Sequence, residues 1–307
     1  MKTKIIIWIL FACLAANLIT PNLVLSGAWV QKKHGFYFKV SGNYFLTTKE
    51  FNHEGRRLDI FQERIIYEDT SFRDLNLTAY LEYGLFEKFT LVANLPLKTL
   101  TSKRTEIIGG GVLARQVTSH TQGVSDLAVS GRYALLDGAL MLSYQAGIEI
   151  PLGYEAAPDN DGPPLGTGNV DFVSHLLIGK SLFPFPAYLT GGVGYRRRSG
   201  PLHDQILFTA EGGYSFGSVL VKVTFDGLKS TIAPPDIVGQ PITTPLPGGG
   251  GAVPNIIQGD QDIFKISPSI IVNLTKQIAI QGEFLHVYAG KNTVSGTSYS
   301  LGLIYTK

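Results

Sequence analysis

"FTLVANLPLKTL", Phe89 to Leu100, alternates almost without interruption. Phe89, Leu91, Ala93, Leu95 and Leu97 fall on one side, and Thr90, Val92, Asn94, Pro96 and Lys98 on the other. A period of two is that of a β-strand with one apolar and one mostly polar face. Two environments suit such an apolar face: the interior of a soluble sandwich, or lipid around a barrel.

The same period runs along most of the chain. Leu75, Leu77, Ala79, Leu81 and Tyr83 oppose Asp74, Asn76, Thr78, Tyr80 and Glu82. Leu127, Val129, Gly131, Tyr133 and Leu135 oppose Asp126, Ala128, Ser130, Arg132 and Ala134. Val219, Val221, Val223 and Phe225 oppose Leu220, Lys222, Thr224 and Asp226. About twelve such strands are expected, with no long helix. Tight connections fall at Leu85–Lys88, Asp137–Gly138, Phe183–Pro186, Gly217–Ser218 and Thr275–Lys276. Long ones fall at Thr47–Thr70, Thr99–Gly123, Leu152–Asn169, Arg197–Leu202 and Lys229–Asp260. Loops sorted by length onto two sides, with an even strand number, mark an all-β, closed antiparallel transmembrane barrel. Aromatic residues near strand ends on the apolar face add an interfacial girdle: Phe36, Phe38, Tyr44, Tyr83, Phe89, Tyr195, Tyr214, Phe216, Tyr299 and Tyr305. The apolar face is therefore expected to meet lipid.

Composition fits that reading. Charged residues make up 16% of the 307-residue chain, below the roughly 25% usual for soluble domains. The net charge is +2, and no basic block suggests nucleic-acid binding. The first 28 residues read as an export signal peptide: Lys2 and Lys4, an apolar run from Ile5 to Ala16, then the small residues Ser26 and Ala28. Cleavage is expected near Trp29, leaving 29–307 as a single barrel domain in the bacterial outer membrane. The only cysteine, Cys13, lies in this leader, so no disulfide is available to the rest; lipidation at Cys13 is the alternative use. No segment large enough for a plug domain precedes Phe36, so a small pore is expected.

"EYGLFEKFTLVANLPL", "GVSDLAVSGRYALL", "GIEIPLG", "LGTGNVDF" and "YLTGGVGYRRR" resemble recurring blocks of the outer-membrane barrels grouped under the meta-pathway of phenol degradation. The resemblance spans roughly residues 70–225. It implies a transporter-like barrel for small hydrophobic or aromatic compounds, with no catalytic motif to carry over. The chain departs from many such barrels in ending "LIYTK", with Tyr305 two residues before the end, which weakens the aromatic signal expected to be read by the barrel-assembly machinery.

On the polar face, lumen-lining candidates are Lys39, Asp74, Glu82, Lys98, Asp126, Arg132, Glu149, Asp171, His175, Arg196, Glu211, Lys222, Asp226, Lys265 and Glu283. They read either as a charged conduit for solutes or as a salt-bridged filling of a closed structural barrel that acts through its external loops. Asp171 and His175 are about 13 Å apart at the usual strand rise, too far for a catalytic pair. His286, expected opposite Thr297 with Ser295 nearby, is the one hint of an outer-membrane lipid hydrolase, without a third group. "PDNDGPP", Pro158 to Pro164, has the start of a calcium loop but lacks the later glutamate, so no metal or cofactor is expected. Arg196, Arg197 and Arg198 are expected at the external rim, where lipopolysaccharide phosphates or solute anions would meet them. Ala233–Asn255, rich in Pro and Gly, reads as a mobile external loop or a lid.

Overall fold

The computed structural model describes residues 27–62, 67–108, 113–154, 162–200, 202–235 and 260–307. Fourteen strand segments form one antiparallel sheet: β1 (Phe36–Phe51), β2 (Arg57–Asp59), β3 (Tyr67–Phe86), β4 (Phe89–Ile108), β5 (Leu113–Val124), β6 (Leu127–Leu136), β7 (Met141–Ile150), β8 (Asp171–Ser181), β9 (Ala187–Arg197), β10 (Gln205–Phe216), β11 (Val219–Ser230), β12 (Asp262–Asn273), β13 (Ile278–Lys291) and β14 (Thr293–Thr306). The sheet closes on itself because β14 pairs with β1, from Tyr37 opposite Thr306 to Phe51 opposite Thr293. The seam is tied at its lower end by reciprocal backbone bonds of 3.0 Å between Phe36 and Lys307. β2 is a short flap in the first long connection, paired to the end of β1. β5 and β6 are two halves of one strand, so the wall has twelve strands, as the periodicity implies.

The break between β5 and β6 has a local cause. β4 pairs Asn94 with Ala128 but Leu97 with Val124, so three steps on β4 face four on its partner. The extra residue is a bulge opposite Pro96, which has no N–H to give to the ladder. Ser125 N instead donates to the Pro96 carbonyl at 2.9 Å. The bulge exchanges the two faces of the strand above it.

The facing follows the sequence pattern. Leu75, Leu77, Val193 and Leu301 leave half or more of their surface on the outside of the barrel. Glu82, Thr90 and Ser143 point inward and are fully enclosed. Seven of the ten girdle aromatics are exposed on the outer wall, and Phe36, Tyr83 and Phe89 are partly covered by neighbours such as Tyr305, His34 and Phe86. All five tight connections sit at one end. In the tightest of them Gly217 adopts φ +60°, the left-handed conformation that a two-residue hairpin turn demands.

Two expectations are corrected. Thr99–Gly123 is not a loop, because β4 and β5 carry it as a long hairpin that rises past the wall. Its β-branched residues favour extended backbone, and above the membrane neither face needs to be apolar, so it lacks the pattern that marks the lower strands. Residues 27–35 also fold inward rather than leaving the lumen clear. Ala28 is fully buried, and Trp29 packs edge-on to Tyr188 with ring centres 5.8 Å apart. Gly84 and Gly179 make the room: a Cβ there would fall 2.0 Å from the Lys32 carbonyl oxygen and 2.8 Å from the Trp29 ring. Most of the calcium-like stretch and of Ala233–Asn255 lies outside the described residues.

The facing predicts an asymmetry along β11. Val223→Arg places a cation against lipid near the strand's middle and should cost insertion about 2–4 kcal/mol. Thr224→Arg, directed into the lumen beside Glu211, should cost far less. The yield of folded, heat-modifiable protein in the outer membrane measures both, and equal yields would contradict the facing.

Candidate functional site: a lumen closed at both ends

Inside the wall, three zones follow one another from the end with the tight turns. The lowest is the inward-folded segment. Its backbone is held by side chains of the wall: Arg132 Nη1 donates to the Trp29 carbonyl at 2.8 Å, and Ser143 Oγ to the Ala28 carbonyl at 2.5 Å. Gln31 N donates to Thr90 Oγ1 at 2.7 Å, and Gln31 Nε2 to Glu82 at 2.8 Å. The same charged residues hold the wall together. Arg132 Nη2 is 3.0 Å from Glu82, both side chains being almost wholly buried. Tyr80 donates to Glu82 at 2.6 Å, and Arg132 Nε to Gln145 at 2.8 Å. A buried carboxylate and guanidinium are tolerable only with partners of this kind.

The middle zone is a cavity of about 770 Å³ lined by charged side chains together with apolar ones, Val92, Val173 and Leu177 among them. Two further ion pairs border it. Lys222 donates to Glu211 at 2.8 Å, where Thr224 (2.7 Å) and Tyr188 (2.6 Å) also donate. Arg196 donates to Glu149 at 2.8 Å and to Gln205 at 3.0 Å. Lys39, His175, Asp226 and Lys265 line the same cavity. Among the described residues the side chains of these four make no hydrogen bond or ion pair, although Asp226 and Lys265 are cross-strand neighbours. Glu283 accepts from Gln281 at 3.0 Å.

The upper zone is apolar. Phe45, Phe72 and Leu100 from the wall meet Ile60 and Phe61 from the first connection and Leu165 from the connection after β7. Leu165 is pinned through its carbonyl, which accepts from Ser125 Oγ at 2.6 Å and Lys98 Nζ at 3.2 Å. Asp126 accepts from the Tyr154 hydroxyl on the same connection. Burial, with that bond to a carboxylate, pushes the Tyr154 hydroxyl well above the ordinary tyrosine range. Asp74 lies in an asparagine ladder, accepting from Asn76 at 3.1 Å, while Asn43 donates to Asn76 at 2.7 Å.

The inward candidates therefore separate by use. Glu82, Arg132, Glu149, Glu211 and Lys222 are paired, which answers to the salt-bridged filling. Lys39, His175, Asp226 and Lys265 remain facing the cavity, which answers to the conduit. Asp171 and His175 form no pair: Asp171 is 3.3 Å from Arg198 Nε. Arg196, Arg197 and Arg198 do not act as one rim cluster, since the first and third turn inward to Glu149 and Asp171 and only Arg197 is exposed. His286 does lie opposite Thr297, with Nδ1 2.9 Å from its hydroxyl. Ser295 is buried and accepts from Arg57 instead, and among the described residues no carboxylate bonds to His286. What sequence reasoning missed is the apolar cap and the inward segment; Gly84 and Gly179 were the trace of the latter.

A closed twelve-strand wall with an apolar outer band, a wet interior and tight turns at one end is that of a bacterial outer-membrane β-barrel. No family model matches the chain, and no curated protein matches it. Among solved structures it is similar to the COG4313 outer membrane channel from Pseudomonas putida F1, with 12% identity, 93% of this chain and all of that one covered, and a TM-score of 0.64. The NanC porin gives a TM-score of 0.46 at 9% identity over 88% of this chain and 99% of that one. The toluene transporter TbuX of Ralstonia pickettii gives 0.44 at 9% identity over 95% and 93%. At these identities the likeness concerns the fold.

The Glu82–Arg132 pair carries a prediction. Glu82→Leu strands a buried guanidinium and should lower the unfolding free energy by about 3–5 kcal/mol. Adding Arg132→Met should recover part of that loss, the remainder being the bonds that Arg132 gives to Gln145 and the Trp29 carbonyl. Urea titration of the refolded barrel in lipid reads both, and additive losses would mean that the two residues do not interact.

Proposed function

We propose that this barrel passes small, largely hydrophobic molecules across the outer membrane and is not an open pore for hydrophilic solutes. The observation that carries this reading is the order of the interior. An ion or sugar descending from outside meets an apolar cap first, built of Phe45, Ile60, Phe61, Phe72, Leu100 and Leu165. It meets a segment bonded across the lower mouth last. An aromatic or aliphatic solute instead finds aromatic and aliphatic partners in the cap. Its polar group, if it has one, faces Lys39, His175, Asp226 and Lys265 below. The channel description of the Pseudomonas putida structure supports passage, and the blocks that resemble those of the phenol meta-pathway barrels support a hydrophobic or aromatic solute. The export leader ending at Ala28, handling by the barrel-assembly machinery and contact with lipopolysaccharide belong to this proposal. With cleavage there, the Ser143 bond to the Ala28 carbonyl leaves with the leader; Trp29 becomes the first residue, its carbonyl keeps Arg132 and Gln31 keeps Thr90 and Glu82, so residues 29–35 hold the lower closure.

A second reading, the closed barrel that works only through its external loops, is favoured by the three bordering ion pairs and the double closure. Uptake separates the two. In cells lacking other hydrocarbon channels, the protein should raise accumulation of a radiolabelled aromatic such as toluene several-fold. Leu165→Asp, which puts a carboxylate in the cap, should abolish most of that gain while the barrel stays folded. Sugar-driven swelling of proteoliposomes should stay near background. Aromatic uptake equal to that of cells without the protein would leave the structural barrel as the better account.

A further inference from the structure

Outside the lumen, the upper outer wall carries a basic patch. On β3 the outward residues run Tyr83, Leu81, Ala79, Leu77, Leu75, and then change character at Arg73. Thr101 of β4 lies opposite Arg73, and His120 of β5 lies opposite Thr101. One step higher, Lys103 lies between Ser71 and Thr118. Alternation sets all of these on the face that carries exposed Leu75, Leu77 and Leu97 lower down. Arg73, Lys103 and His120 are exposed. Arg73 donates to Thr101 Oγ1 at 3.0 Å, which fixes its guanidinium over the sheet. Among the described residues neither Arg73 nor Lys103 makes an ion pair.

Height decides what this patch meets. Ten residues separate Arg73 from Tyr83 in the lower girdle; at about 3.3 Å each on a strand tilted by about 40°, that is about 25 Å along the membrane normal, the full height of the apolar band. Arg73 and Lys103 therefore stand at the headgroup level of the outer leaflet. The surrounding side chains are polar rather than apolar: Thr99, Thr105, Gln116, Thr118 and Gln122, with one exposed carboxylate, Glu68, opposite Thr105 in the row above Lys103. β5 pairs with no strand on its far side among the described residues, so the platform is open laterally. Among the other outward cations of this rim, Lys229 lies opposite exposed Ile206, and Arg197 stands beside Asp204, the acceptor for Tyr195 at 2.5 Å and for Arg198 N at 2.8 Å, which offsets its charge.

We infer that Arg73 and Lys103, with His120 beside them, form a binding site for the phosphorylated disaccharide headgroup of lipopolysaccharide. Arg73 presents a planar fork to phosphate oxygens, and Lys103 adds a point charge one row above. The hydroxyl and amide side chains face the sugars, and the leucines below face the acyl chains. The inference rests on the lipopolysaccharide contact proposed above and is independent of solute passage.

The test uses the full barrel in detergent micelles, titrated with diphosphoryl lipid A and followed by native mass spectrometry. Arg73→Gln combined with Lys103→Gln should weaken binding about thirty-fold, the effect of removing two cations at a charged lipid surface. Arg73→Lys with Lys103→Arg should stay within a few-fold of wild type, and Arg197→Gln should change little. Wild type should bind fully dephosphorylated lipid A as weakly as the double Gln variant does. Heat-modifiability confirms that each variant is folded; if the double variant is not, Lys103→Gln alone should lose several-fold. Equal binding by wild type and the Gln variants would overturn the site while leaving lipopolysaccharide contact elsewhere intact. No binding by wild type would overturn both. Displacement by phosphatidylglycerol or millimolar inorganic phosphate as readily as by lipid A would reduce the patch to a nonspecific anion surface and overturn it too.

Discussion

Every backbone polar group within the hydrocarbon must find its partner inside the protein, and this requirement organises the rest. It forbids a free sheet edge, so β14 must return to β1. It also fixes the alternation, because a wall one sheet thick exposes every second residue to lipid. The bulge at Pro96 is a place where the requirement is met by a substitute. The ladder loses a donor, and Ser125 N supplies the Pro96 carbonyl from one step along. That small irregularity also positions Ser125 Oγ and Asp126 to hold the connection that carries Leu165 and Tyr154. Closure of the wall and capping of the lumen are thus linked through one residue without an N–H.

A closed wall leaves the inward faces to one another. Twelve strands enclose more space than side chains alone fill, and the remainder is taken by chain that is not part of the wall. Residues 27–35 take the lower end: Ser143 and Arg132 donate to the Ala28 and Trp29 carbonyls, and Thr90 accepts from Gln31 N. Arg132 illustrates the economy of the arrangement. One guanidinium neutralises Glu82, orients Gln145 and binds the Trp29 carbonyl, using donors on each of its nitrogens. Any change to this residue acts on the wall and on the closure together.

The wall was legible in the sequence because lipid imposes a pattern on it. The apolar sets around Leu75–Tyr83, Leu127–Leu135 and Val219–Phe225 all face outward as their period requires. Where lipid stops, the pattern stops. The β4–β5 hairpin above Leu97 has Thr, Lys, Gln and His on its outward face, and so it reads as a loop. The pairing of Glu82 with Arg132 was not legible either. The two lie fifty residues apart on β3 and β6, with β4 between them, and only the register of two successive ladders brings them together. The inward turn of residues 27–35 has no periodicity at all. Its mark is negative, the missing side chains at Gly84 and Gly179, and a glycine in a strand equally marks a bulge, a tight bend or the close approach of a ligand.

The vertical order of the interior gives the molecule a free-energy profile that depends on what moves through it. An ion must shed water at the apolar cap before it reaches the chamber, where three pairs are neutralised and Lys39, Asp226 and Lys265 are not, so nothing at the cap itself repays the desolvation. A ring-sized apolar solute burying about 150 Å² in the cap gains about 4 kcal/mol, near a thousandfold in occupancy before the costs of binding. The chamber beneath has a mixed lining, in which apolar side chains such as Val92, Val173 and Leu177 alternate with Lys39, His175, Asp226 and Lys265. The cap therefore presents apolar surface alone, and the chamber presents it together with the side chains of Lys39, His175, Asp226 and Lys265, which no partner among the described residues holds.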